Sequence, residues 1–168
     1  MSRKPTAVTV MPSIREDVER VLPATIIALT LAAMNELGNW RIRKDMAILV
    51  TRVMREHFKG MDALHAGIVA DRAAEEATEI LKAANEDRVE TVWVAASHMV
   101  LKLKNDRDID IPLDLIMVAS AIETEIIDRK APRWGGARHV DNVAHRMENE
   151  ARRRGWWANA GAPLAARG

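Results

Sequence analysis

Apolar side chains recur at intervals of three and four residues along almost the whole chain, and this periodicity constrains the fold more than any other feature. It holds from Ser13 to Arg154, and no short stretch alternates between apolar and polar residues as a half-buried strand would. The chain has a single phenylalanine and no tyrosine, and Ala, Val, Ile, Leu and Met far outnumber them, which favours helices over sheets. The sequence therefore predicts an all-α fold, a helical bundle of about six helices.

Interruptions of this pattern divide the chain into a flexible N-terminus at residues 1–12, a single helical domain at 13–154 and an extended C-terminal arm at 155–168. Ser13 is the predicted cap of the first helix because Glu16 follows three residues later. Pro23 should break or kink that helix, which is expected to stop near Gly38. The other predicted helices span about 40–58, 62–84, 89–103, 112–129 and 139–154. The fourth has the most regular apolar stripe and is expected to be central.

Missing residue types exclude several kinds of site. The chain contains no cysteine, so it has no disulfide framework and no thiolate metal site, and we expect a reducing compartment such as the cytoplasm, or a virion if the protein is viral. The most apolar stretch, residues 24–34, has about half of the roughly 20 residues that cross a bilayer. No membrane partner is therefore expected.

The formal net charge of +1 hides a separation of charge along the chain. Residues 1–60 hold ten Lys or Arg against six Asp or Glu, residues 61–128 hold six against fifteen, and residues 129–168 hold nine against three. The segments are thus basic, acidic and basic. Charges of opposite sign can be neutralised within one molecule or between identical copies, so the pattern favours a homo-oligomer or a protein partner over a uniformly basic nucleic-acid binder.

Three arginines and two tryptophans stand together where the last predicted helix ends. Trp and Arg dominate the binding energy of many interfaces, and two indoles on a solvent-exposed tail would promote aggregation. They should therefore be docked on the core of the same chain, on another subunit or partner, or on nucleic acid; the acidic segment is the expected counterpart in the first two cases. A second basic cluster lies in the break before the last helix. The predicted partner-binding residues are Arg152, Arg153, Arg154, Trp156, Trp157, Arg133, Trp134 and Arg138.

Carboxylates three residues apart share a face of the third and fourth predicted helices, as Glu76 with Glu79 and Asp87 with Glu90. The segments 75–83 and 87–93 resemble the paired acidic motifs of all-helical nucleotide pyrophosphohydrolases of the MazG type, although the second pair has Asp before Glu. The resemblance implies a Mg²⁺-dependent enzyme in which these four carboxylates hold the metal. A solvated acidic face is the alternative explanation of such acidic runs.

These patterns favour a protein without catalytic residues and without a cofactor. We expect a helical assembly or adaptor subunit that self-associates or docks on a partner through its C-terminal arm. A compact helical body with such an arm is similar in layout to viral head-to-tail adaptor subunits. The Mg²⁺-dependent pyrophosphohydrolase is the first alternative, and a helical DNA-binding regulator that uses the cationic segments is the second.

Overall fold

A computed structural model describes residues 5–38, 42–128 and 135–158 of the chain. Within these ranges the fold consists of six α-helices without strands, so the predicted all-α bundle is confirmed. The helices are α1 (Pro5–Leu37), α2 (Arg43–Phe58), α3 (Ala63–Lys82), α4 (Val89–Asp106), α5 (Leu113–Asp128) and α6 (Ala137–Arg153). In the described ranges, every helix is too short or too polar to cross a membrane.

The first helix departs most from the prediction. It already includes Pro5, so Ser13 lies inside the helix and is not its cap, and the helix continues through Pro23. A proline inside a helix costs about 3 kcal/mol. Residues 21–27 are all buried here, and burial of one large aliphatic side chain stabilises the fold by about 1.5–3 kcal/mol. Packing therefore outweighs the cost of the proline, and the predicted break is wrong.

The helices α1 and α4 together form the centre of the bundle. α1 packs against α2, α3, α4 and α5, whereas α4 packs against α1, α5 and α6. The burial of α4 agrees with its predicted central position, although α1 shares that position. α3 packs against α1 and α6, so the end of α6 comes to lie beside α1 and α3.

Local signals place the start of α3 close to its predicted position. Asp62 is the N-cap of α3, and its side chain accepts a hydrogen bond of 2.8 Å from the backbone N–H of His65. The His65 ring lies 2.8 Å from a carboxylate oxygen of Asp17 and so links α3 to α1. These contacts hold α3 against the polar side of α1, where the candidate site is formed.

A half-buried histidine connects three helices. His98 of α4 has Nδ1 3.4 Å from Oε2 of Glu123 on α5, and Nε2 3.4 Å from Oδ1 of Asp141 on α6. Lys102, one turn further along α4, lies 3.5 Å from the same Asp141 oxygen. The hydrogen bond to Glu123 is the main reason that the pKa of His98 lies above its usual value, and partial burial opposes it. Protonated His98 therefore ties α5 and α6 to α4.

Candidate interaction site: a C-terminal latch on an acidic receptor

The end of α6 is a cap that turns the chain back onto the bundle. The backbone N–H of Gly155 donates to the carbonyl of Arg152 at 2.9 Å, and that of Trp156 donates to the carbonyl of Ala151 at 2.9 Å. Gly155 has φ +94°, a left-handed conformation that favours glycine. These are the bonds of a Schellman motif, in which an apolar residue after the glycine packs on the last turn. We call residues 154–158 the C-terminal latch.

Trp156 carries the apolar part of the latch into the core. Its side chain is 1% exposed, and its indole Nε1 donates to Oε1 of Glu76 at 2.6 Å. On the other side, the Arg15 guanidinium lies 4.4 Å from the ring centroid, within the range of a cation–π contact. The indole is thus held between α1 and α3, with its polar N–H satisfied.

Glu76 is a buried carboxylate that accepts several hydrogen bonds at once. Arg154 donates from Nε to Oε1 at 2.7 Å and from Nη2 to Oε2 at 2.9 Å, a bidentate pair of the strong class. Arg72 approaches Oε2 to 3.6 Å. The hydrogen bond from Arg154, with those of Trp156 and the nearby charges, lowers the pKa of Glu76 to about 2 despite burial. The same pair raises the pKa of Arg154. Glu76 is therefore ionised at neutral pH and fully engaged by the latch.

The second indole is fixed through its backbone. Trp157 is 4% exposed and has φ +54°, a conformation that is uncommon for a bulky residue. Its backbone N–H donates to the Glu19 carboxylate of α1, and Arg15 donates from Nη2 to the Gly155 carbonyl at 2.6 Å. The indole Nε1 of Trp157 is buried without a hydrogen-bond partner in the described part of the chain. We call Arg15, Glu19 and Glu76 the latch receptor.

The arginines before the latch are also paired with carboxylates. Glu148 of α6 is 2% exposed, and its Oε2 accepts from Nε of Arg107 at 2.9 Å and from Nε of Arg152 at 3.3 Å. Arg153 donates to Glu150 at 2.6 Å. The predicted cationic cluster at 152–154 is thus neutralised by acidic neighbours, and it does not present the continuous cationic face that a DNA contact would need.

The second basic cluster is only partly described. Arg133 and Trp134 lie outside the described residues, and Arg138 is exposed at the start of α6. His139 contacts Oε1 of Glu86 at 2.5 Å, which joins α6 to the loop before α4. The pKa of Glu86 is lowered to about 2, first by the backbone N–H of Arg88 and then by His139. Arg138 therefore lies apart from the latch, at the opposite end of α6.

The four carboxylates of the pyrophosphohydrolase alternative do not come together. Glu76 and Glu79 line one open cleft on α3, but Arg154 lines the same cleft and binds Glu76. Glu79 lies 3.5 Å from Lys82, and Asp87 is exposed in the loop that precedes α4. Among the described residues, no group of three or more side chains of the metal-binding types is arranged to hold an ion. The Arg154 guanidinium therefore occupies the position beside Glu76 in this cleft.

Sequence reasoning identified one half of this site and missed the other. It grouped Arg154, Trp156 and Trp157 and expected an acidic counterpart, and the structure places that counterpart in the same chain, at Glu76. It missed Arg15 and Glu19, whose partners are 140 and 138 residues away. Their sequence signal was a pair of charges four residues apart beside the apolar stripe of α1. A helix face that is exposed to solvent carries such pairs equally often.

No protein-family model, curated protein or solved structure matches the chain. Its function must therefore be inferred from its own residues.

Proposed function

We propose that this protein is a non-catalytic assembly or adaptor subunit that joins to a second copy, or to a partner with an equivalent segment, through exchange of its C-terminal latch. The observation that carries the proposal is the way Glu76 receives the latch. One buried carboxylate accepts two hydrogen bonds from Arg154 and one from the Trp156 indole. This arrangement resembles a receptor with a bound peptide.

The receptor is built from parts of the chain that are remote from the latch. Arg15 and Glu19 come from α1 and Glu76 from α3, and 78 or more residues separate each of them from its partner. A latch supplied by another molecule would find the same donors and acceptors. The charge separation along the chain supports this exchange, because the segment that contains Glu76 is acidic and the segment that contains the latch is basic.

Covalent connection favours docking within one molecule. The latch directly follows α6, and even a short flexible connection would give it an effective concentration on the order of millimolar. Exchange between molecules is therefore expected where copies are crowded together, as in an assembly, or where the latch of one copy has been displaced. Dilute protein is expected to keep its latch in place.

The proposal is tested by mixing two full-length variants. Arg154→Met removes the guanidinium from the latch and keeps the receptor, whereas Glu76→Gln weakens the receptor and keeps the latch. In the mixture, the Glu76→Gln copy has an intact latch without an intact receptor, and the Arg154→Met copy has an intact receptor without an intact latch. The first copy should therefore place its latch on the second, which gives a heterodimer with one exchanged latch. Sedimentation velocity measures the mass of each variant and of the mixture.

The matched control replaces Glu76→Gln with Glu36→Gln, a change at an exposed glutamate near the end of α1. Glu36→Gln protein keeps its own latch docked, so its mixture with Arg154→Met should contain no more dimer than the separate solutions. Circular dichroism confirms that all variants remain helical. If the first mixture stays monomeric at millimolar concentration although both variants are folded, latch exchange is not how this protein associates.

A further inference from the structure

Two exposed helical faces carry charged side chains that the chain itself leaves unpaired. Lys44 and Arg55 are exposed on α2, Lys59 is exposed directly after it, and Asp71 and Glu75 are exposed on α3. Within the described part of the chain, none of these five side chains forms a hydrogen bond or ion pair. Most other charges on α1, α3 and α6 near the latch do have partners. Both faces therefore carry charges that another molecule could pair.

Each face also exposes large aliphatic side chains. Ile48 of α2 is 57% exposed, and Leu64 and Ile68 of α3 are 76% and 43% exposed. They lie on the same stripes as the unpaired charges, because helical residues three and four apart share a face. The α2 stripe is Lys44, Ile48, Thr51 and Arg55. The α3 stripe is Leu64, Ile68, Asp71 and Glu75.

The two stripes have the same spacing and complementary chemistry. When α2 and α3 are placed parallel with an offset of 20 in residue number, Ile48 faces Ile68 and Arg55 faces Glu75. Aliphatic residues then meet at the centre and opposite charges meet towards one end. An antiparallel register can also place Ile48 against Ile68, but it then brings Lys44 rather than Arg55 to an acidic residue, Asp71. We take the parallel register, and the pair of Arg55 with Glu75 is the contact that distinguishes it.

The surface of α2 has the shape that a second helix needs. A groove runs between α1 and α2, with apolar walls at Ala28, Leu31 and Ala32, and another depression lies on the far side of Ala47 and Thr51. Small residues between two depressions form a ridge that fits between the ridges of a packed helix. The α2 face is thus an exposed helix-packing surface with a cationic rim.

We infer that the α2 stripe of one copy binds the α3 stripe of a second copy. Because the two surfaces are different, the contact is heterologous, and each bound copy leaves one α2 stripe and one α3 stripe free for further copies. Such contacts produce rings when the rotation closes and open filaments when it does not. This interface goes beyond latch exchange. Glu75 lines the same cleft as Arg154, but the interface uses neither the latch nor the latch receptor, so either mode of association can fail without the other.

The test uses full-length Ile48→Asp and Ile68→Asp, each of which places a charge at the centre of one stripe. Both positions are exposed, so the fold should be retained. Wild-type protein should show a mass that rises with concentration beyond that of a dimer, and each variant should weaken this association at least about tenfold. Leu113→Asp, at an equally exposed position on α5, is the control and should associate like the wild type.

A mixture of the two variants distinguishes this interface from its alternatives. The Ile48→Asp copy retains an intact α3 stripe and the Ile68→Asp copy retains an intact α2 stripe, so the mixture should stop at a heterodimer. Reversal of both charges, Arg55→Glu with Glu75→Arg in one chain, should restore the association that either reversal alone weakens. Latch exchange would give dimers that respond to neither Ile48 nor Ile68. A wild type that stays monomeric up to millimolar concentration, or a mixture that stays monomeric, would overturn the inference.

Discussion

Removal of the Glu76 charge should destabilise the fold much more than removal of the Glu75 charge beside it. Glu76 is 6% exposed and binds Arg154 and Trp156, whereas Glu75 is exposed. Lowering a pKa from 4.5 to about 2 corresponds to roughly 3 kcal/mol, at about 1.4 kcal/mol for each pKa unit. Loss of one partner from a buried ion pair costs about 3–5 kcal/mol in other proteins. Both routes give about 3 kcal/mol for Glu76→Gln.

The free energy of unfolding should be measured by urea denaturation of the wild type, Glu76→Gln and Glu75→Gln. In a chain of this length, 3 kcal/mol should lower the melting temperature by roughly 6–12 °C. Glu75→Gln should stay within about 0.5 kcal/mol of the wild type, as exposed substitutions usually do. Arg154→Leu combined with Glu76→Leu should cost less than Glu76→Leu alone, because the double variant leaves no buried charge without its partner.

The same carboxylate predicts a specific acid dependence. The pKa of Glu76 is lower in the folded protein than in the unfolded chain, so its stabilising effect is complete above about pH 4.5 and is lost as the pH falls towards 2. The difference in unfolding free energy between the wild type and Glu76→Gln should therefore shrink over this interval. Equal stabilities of Glu76→Gln and Glu75→Gln at pH 7, or a difference that does not change with acid, would refute the reasoning.

Two further perturbations test contacts around α6. The pKa of His98 is raised in the fold, so its contribution to the free energy of unfolding is present below about pH 6.5 and is lost as the pH rises through the folded value. In His98→Gln, the free energy of unfolding measured between pH 5 and 9 should no longer show this loss. A pH dependence equal to that of the wild type would contradict the role of His98. Gly155→Ala forces a side chain into φ +94°, with its Cβ 2.6 Å from the Arg15 guanidinium, and should cost about 1–2 kcal/mol. The control, Gly67→Ala inside α3 with open space around it, should stabilise the protein by about 0.5–1 kcal/mol in the same thermal melts.

The sequence predicts the helices well because their signals are local. Apolar spacing and caps such as Asp62 depend on residues within a few positions of each other, and the predicted helices start or end close to the observed ones. The interactions that keep α1 continuous through Pro23 are not local in this sense. It depends on neighbours from four other helices that bury residues 21–27, and this burial is known only when the packing is known.

Of the candidate site, the sequence predicts the C-terminal latch but not the latch receptor. The composition of residues 152–157 shows that the segment should be docked, and the glycine followed by tryptophan is itself the sequence pattern of a Schellman cap. Which acidic residue receives it depends on which helices are neighbours. Glu76 and Glu79 are equivalent by helical spacing, yet Arg154 binds Glu76 while Glu79 remains near Lys82 at the surface. Glu148 was missed because an acid on a mostly polar helix resembles a solvated one.

During synthesis on the ribosome, the contacts of Arg15 with Gly155 and of Glu19 with Trp157 cannot form until residues 155 and 157 have been made. The two partners are about 140 residues apart, and translation adds about 5–20 residues per second. The first helix therefore waits roughly 7–28 s for the segment that covers its polar side. Glu76, which is 80 residues before Trp156, is uncovered during the later part of this interval, and the core is incomplete, so chaperones and proteases have access to the nascent chain until the last contacts close.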